Sequence, residues 1–128
     1  MYELYIDGAS RGNPGNSACG FVIIKDGKEV AFGGKYLGIK TNNEAEYYAL
    51  IEGLKKAKDL KIKNLKIFSD SRLIVNQING KFKVKDSKLK KLFLCAKKLL
   101  EDFNYEITHI TRDKNKIADN YANFYLKE

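Results

Sequence analysis

Cysteine is scarce in this chain of 128 residues, proline almost absent, and no apolar run comes near the roughly 20 residues that would span a bilayer. The two cysteines, Cys19 in "ACGFVI" and Cys95 in "LFLCAKKLL", are isolated and sit in apolar surroundings. Both read as buried thiols, which argues against a disulfide or a thiolate metal site. The single proline, Pro14, falls in the loop "RGNPGNS". Repeats, low-complexity tracts and linkers are missing too, so one domain spanning 1–128 is expected. The opening "MYELYIDGAS" does not have the basic-then-apolar layout of a signal peptide. A cytoplasmic protein with no membrane contact is the expectation.

Hydrophobic residues make up 44% of the chain and aromatics 12%, a composition able to build a core. Twenty-four Lys and Arg face 16 Asp and Glu, for a net charge of +8 and a pI near 9.4. Such an excess suits a polyanionic partner, although a lysine-rich surface is often only a solvated one.

The pattern of turns and periodicities gives the order βββαβααβα. "YELYID" (2–7), "ACGFVIIK" (18–25) and "KEVAFGGKYLG" (28–38) read as strands. "DGK" makes a tight hairpin between the last two, and Gly33-Gly34 suggests a bulge. A helix over 43–59 carries an apolar stripe of Tyr47, Leu50, Ile51, Leu54 and Ala57. "NLKIFS" (64–69) is a fourth strand, and "SRLIVNQING" a short helix closed by Gly80. A longer helix from about Asp86 to Phe103 buries Leu89, Leu92, Phe93, Ala96, Leu99, Leu100 and Phe103. "YEITHI" (105–110) is a fifth strand, "RDKNK" a loop, and a last helix runs from about Asn115 to Leu126. Three antiparallel strands followed by helix-linked parallel ones predict a mixed five-stranded α/β sheet.

Acidic residues fall at telling places in this layout. Asp7 ends the first strand, Asp70 ends the fourth, Asp119 lies in the first turn of the last helix, and Glu46 begins the helix that feeds the fourth strand. Taken singly, each has an ordinary explanation: a turn before Gly8, a helix cap before Ser71, an acid favoured by a helix dipole. Glu46 is harder to explain that way, because Leu50, Gly53 and Ala57 stack behind it on one side. Functional groups gather outside the carboxyl ends of parallel strands, and there all four acids can meet. Converging carboxylates repel and call for a metal. Oxygen-only ligands select a hard cation such as Mg²⁺ or Mn²⁺. In a basic protein, that combination points to a nuclease with paired ions.

"YIDGASRGNPG", "TNNEAEYYAL", "FSDSRL" and "RDKNKIADNYAN" resemble, in order, the signature segments of the type 1 ribonuclease H family. The resemblance covers nearly the whole chain. It implies a ribonuclease H-like fold with sheet order 3-2-1-4-5. The implied activity is metal-dependent endonucleolytic hydrolysis of the RNA strand of RNA/DNA hybrids, leaving 5′-phosphate and 3′-hydroxyl ends. Two Mg²⁺ ions, which Mn²⁺ can replace, would be held by Asp7, Glu46, Asp70 and Asp119. By position, Gly8, Ser10, Asn13, Asn42, Asn43 and Arg72 would contact the RNA strand, with a helix cap as the alternative role of Asn42. The hybrid is the expected partner, with no obligatory protein partner.

Two departures from the best-known members stand out. The glycine- and histidine-rich loop before the last helix is replaced by "THITRDKNKIAD". His109 there reads as a strand residue more than as the loop histidine, and Asp113 is a weak substitute. The basic helix inserted in some bacterial members is missing, which matches a compact subgroup. Lys81, Lys83 and Lys85 are its remnant and, with Lys88, the expected contacts to the DNA strand. Rival readings are a nuclease of this fold acting on double-stranded RNA and a binding module without catalysis.

Overall fold

Leu4 and Ile6 alternate with Tyr5 along the first strand and are fully buried, the period-2 pattern of a strand with a helix on one face. In the computed structural model, which describes residues 1–127, this strand is β1 (Tyr2–Ser10). β2 (Gly15–Lys25) and β3 (Lys28–Lys40) follow as antiparallel partners. α1 (Asn42–Asp59), β4 (Asn64–Ser69), α2 (Arg72–Ile78), α3 (Ser87–Leu100), β5 (Asn104–His109) and α4 (Lys116–Lys127) complete the chain, with a single 3₁₀ turn at Arg112–Lys114. The sheet order is β3-β2-β1-β4-β5, with β4 and β5 parallel to β1. Order and topology are those expected. Among the described residues no helix is long and apolar enough to cross a membrane.

Leu4 and Ile6 form one core with Tyr47, Leu50 and Leu54 of α1, and with Leu89, Ala96 and Leu100 of α3. On the other face, α4 comes so close to β2 that a side chain on Gly20 would strike the backbone of Ala122. The β2–β3 hairpin turns at Asp26 (φ 52°) and Gly27 (φ 79°). Both residues are left-handed, as a two-residue turn matched to strand twist requires.

Four local expectations are corrected. β1 does not stop at Asp7 but pairs with β2 as far as Ser10, so Asp7 is a strand residue and not part of a turn. Gly33-Gly34 is no bulge: both pair regularly with β2, and the register shifts lie elsewhere, opposite Ser17/Ala18 and Ile23/Ile24. The bare glycines make room for the rings of Phe21 and Tyr125. Cys19 is buried but Cys95 is exposed, because it lies about 100° around α3 from the centre of the buried stripe. Thr41, not Asn42, caps α1: its side chain accepts from the Glu44 N–H while Glu44 reaches back to the Thr41 N–H, a complete capping box.

Candidate active site

The register of the sheet sets the first two acids side by side. β1 and β4 run parallel with Ile6 opposite Ser69, so the next residues, Asp7 and Asp70, emerge as neighbours at the carboxyl edge. Asp70 is not a helix cap. Ser71 takes that role for α2, its hydroxyl accepting from the Ile74 N–H. Asp7 pairs with Gly20 and so points to the face that α4 covers, where Asp119 in the first turn of α4 lies against it.

Glu46 arrives from the opposite face. With Thr41 as the cap, it stands in the second turn of α1, not the first. A Cβ on Gly8 would come within 2.7 Å of the Ala45 carbonyl carbon and the Glu46 nitrogen, so only glycine lets α1 press on β1 here. The contact is sealed by the Gly8 N–H, which donates to Glu46 Oε1 at 3.0 Å.

Ligand atoms of Asp7, Glu46 and Asp70 lie within 4.8 Å of one another. The cleft around them, about 310 Å³, is lined also by Gly8, Ser10, Asn42, Arg112 and Asp119. Burial first, and then the charges of Glu46 and Asp70, push the Asp7 carboxyl up to about 10. Burial, and then the charge of Asp70, push Glu46 up to about 8, against the opposing pull of the Gly8 amide and Arg112. The protein leaves this cluster short of positive charge. An all-oxygen donor set with uncompensated negative charge fits a hard divalent cation.

The predicted substrate contacts divide. Gly8, Ser10 and Asn42 line the cleft. Asn13 stands behind them, its Oδ1 accepting from the Asn42 N–H and tying the β1–β2 loop to α1. Asn43 and Arg72 do not line the cleft. His109 ends β5 opposite Ser69, a sheet residue outside the cleft. Asp113 borders a separate cavity under the 3₁₀ turn. Lys81, Lys83 and Lys85 lie on the exposed connection between α2 and α3, away from the acids.

Two residues of the site were missed in the sequence. Arg112, just before α4, is the only cation lining the cleft among the described residues. Asn115 is 1% exposed; its Nδ2 donates to the Ile6 carbonyl at 2.8 Å and to Asp70 Oδ2 at 3.2 Å. It thereby clamps the middle of β1, the acid after β4 and the start of α4 together. An asparagine at a helix start reads as a cap, and nothing local says what its amide holds.

Residues 5–125 match the family model described as "Reverse transcriptase-like". Ribonuclease HI of Halobacterium salinarum is 43% identical over 128 residues, covering 98% of this chain and 64% of that protein. The chain thus spans just under two thirds of this curated relative. The crystal structure of RNase H1 from the same archaeon superposes with a TM-score of 0.95 at 41% identity, covering 98% of this chain and 97% of that one. LC11-RNase H1, solved in complex with an RNA/DNA hybrid, gives 0.94 at 34% identity, covering 99% and 97%. Here α2 leads to α3 with no helix inserted between them. Fold, acid cluster and relatives agree, and the chain belongs to the type 1 ribonuclease H family in its compact form.

Proposed function

We propose that this protein is an endoribonuclease that hydrolyses the RNA strand of RNA/DNA hybrids, leaving 5′-phosphate and 3′-hydroxyl ends, with two Mg²⁺ ions that Mn²⁺ can replace. The observation that carries the reading is the meeting of Asp7, Glu46 and Asp70 within 4.8 Å, with Asp119 on the same cleft. Asp7 has Asp119 on one side and Glu46 and Asp70 on the other, which suits it to be the ligand shared by both ions. Asp119 would complete one ion's site, and Glu46 and Asp70 the other's. Metal bound there would supply an activated water and stabilisation of the leaving oxygen.

The rest of the cleft binds and orients the strand. Arg112 would pair with a non-bridging oxygen of the scissile phosphate, where a guanidinium fits phosphate geometry. Asn42, Ser10 and the Gly8 backbone would read the ribose 2′-hydroxyl, the group that distinguishes RNA from DNA. Asn13 would hold Asn42 in place, and Asn43 and Arg72 would touch the strand beyond the cleft. Water attacks phosphorus, the bond to the 3′ oxygen breaks, and that oxygen leaves as a hydroxyl. A cytoplasmic place of action belongs to the same reading.

The test is a panel of labelled RNA/DNA hybrid, double-stranded RNA, single-stranded RNA and DNA duplex, with and without Mg²⁺. Metal-dependent cutting of the hybrid's RNA strand is expected. Equal cutting of DNA duplex would overturn the proposal, and preference for double-stranded RNA would replace the substrate.

A further inference from the structure

We infer that Asn115 is a positioning residue for the acids of the cleft, fixing Asp70 through its side-chain amide and spacing Asp7 and Asp119 on either side of it; this rests on the function proposed above. Three contacts carry the inference. Nδ2 donates to the Ile6 carbonyl at 2.8 Å, and that carbonyl belongs to the peptide that Ile6 shares with Asp7. The same Nδ2 donates to Asp70 Oδ2 at 3.2 Å. The Asn115 carbonyl accepts from the Asp119 N–H at 3.1 Å, which opens α4. One residue thus touches the backbone at two acids and the side chain of a third. It does so just where the ladder between β1 and β4 stops, at Ile6 and Ser69.

The amide is turned away from its ordinary duty. Asn115 stands at the N-cap of α4, where an asparagine oxygen usually accepts from the N–H groups of the first turn. Here Oδ1 is buried with no hydrogen-bond partner among the described residues, and Nδ2 faces two acceptors. Turning the amide over would set Oδ1 against two oxygens, so Ile6 and Asp70 fix its orientation. A side chain that forgoes its cap and leaves an oxygen unsatisfied is held there by what its nitrogen does. The donor is also neutral. Asp70 receives no other hydrogen bond and no ion pair among the described residues, whereas Arg112 offsets part of the charge around Glu46. An amide steadies one carboxylate oxygen and leaves the negative charge for a cation at the other. A lysine or arginine in its place would compete with that cation.

The experiment compares Asn115→Ser with Asn79→Ser in the full chain. Serine caps a helix about as well as asparagine does but is too short to reach Asp70. Asn79 makes the same kind of bond, Nδ2 to the Ile107 carbonyl at 3.2 Å, with no acid attached, so its loss reports the strand contact alone. Mn²⁺ binding is measured without hybrid, from the loss of the free ion's paramagnetic resonance signal. Melting temperature in chelator and cleavage over a Mg²⁺ series accompany it. Asn115→Ser should bind Mn²⁺ about tenfold more weakly, the usual scale when a group that orients a metal ligand is removed. The Mg²⁺ needed for half-maximal cutting should rise in step, with KM for the hybrid at saturating Mg²⁺ little changed. Asn79→Ser should bind Mn²⁺ as wild type does, even where it melts lower. Wild-type Mn²⁺ affinity in folded Asn115→Ser, or equal weakening in both variants, would overturn the inference. A second measurement needs no variant. In isotope-labelled wild-type protein the Asn115 side-chain amide resonance should shift as Mg²⁺ is added while that of Asn79 stays, and an unmoved Asn115 amide would overturn the inference as well. If wild-type protein binds no divalent ion or fails to cut the hybrid, the proposed function fails instead, and the two failures are told apart by the wild-type arm.

Discussion

Glu46 and Tyr47 are adjacent in α1 and end in opposite circumstances. The Tyr47 hydroxyl, fully buried, donates to Gln77 Oε1 at 2.5 Å, and Gln77 Nε2 in turn donates to the Lys83 carbonyl. That cluster is closed and holds α1, α2 and the connection to α3 together. Glu46, one residue earlier, faces Asp70 and Asp119, and of the groups near it only the Gly8 amide and Arg112 offset its charge. In this cluster the polar groups that hold the fold are satisfied, as most buried polar groups are. Those that would hold a cation are left repelling one another, the usual trade of stability for function at a site.

The contrast is broken most completely at Asp7. Asp7→Asn should abolish cleavage while hybrid binding survives, because a shared ligand goes and the lysines stay. Without metal the variant should melt no lower than wild type, since one member of a repelling set is removed. A clear fall in melting temperature in chelator would mean that Asp7 is structural. Next in size is Gly8→Ala. The new methyl would meet Ala45 and the Glu46 nitrogen at under 3 Å, so the helix must move. A loss of about 1–3 kcal/mol is expected in a denaturant titration, together with a drop in kcat as Glu46 leaves its place. Full activity in the alanine variant would show that α1 need not sit so close.

Tyr47→Phe tests the satisfied side. It leaves Gln77 Oε1 without its donor in the core and should cost about 1–3 kcal/mol, with kcat in saturating Mg²⁺ little changed. Here stability falls and activity stays, the reverse of Asp7→Asn. The pH dependence sharpens the difference further. Asp7 and Glu46 hold their protons to higher pH in the folded chain, about 10 and about 8, than unfolded carboxyls near 4. The unfolded state therefore ionises first as pH rises. Their contribution to metal-free stability is full below about pH 4 and is lost progressively as pH climbs toward 8 and 10. Metal needs the ionised form, so the rise in melting temperature on adding Mg²⁺ should grow between pH 6 and 9; a constant increment would contradict the shifts. The smallest effect is expected from Lys81/Lys83/Lys85→Gln. It should raise KM and lower the salt slope modestly, with kcat unchanged.

Much of this was legible in the chain because it depends on local pattern. The stripe Tyr47, Leu50, Ile51, Leu54, Ala57 announced α1 and its buried face, and all five are buried as read. Asp70 could be placed because the apolar pattern of β4 ends just before it. Cys95 was misplaced because apolar neighbours in sequence say nothing about phase around a helix. Which residue caps α1 was not legible, because Thr41, Asn42 and Asn43 are all good caps, and only the reach of Glu44 back to Thr41 decides among them.

Periodicity and turn chemistry acted over a few residues at a time, and they suffice for the order βββαβααβα and for four acids at element ends. The pairing of β1 with β4, across 63 positions of chain, made Asp7 and Asp70 neighbours, and close approach of two backbones at Gly8 delivered Glu46 to them. Arg112 and Asn115 entered the site only when α4 docked beneath the sheet. Each of these depends on a distance between segments far apart in sequence, set by packing of the core and not by the propensities of the residues concerned.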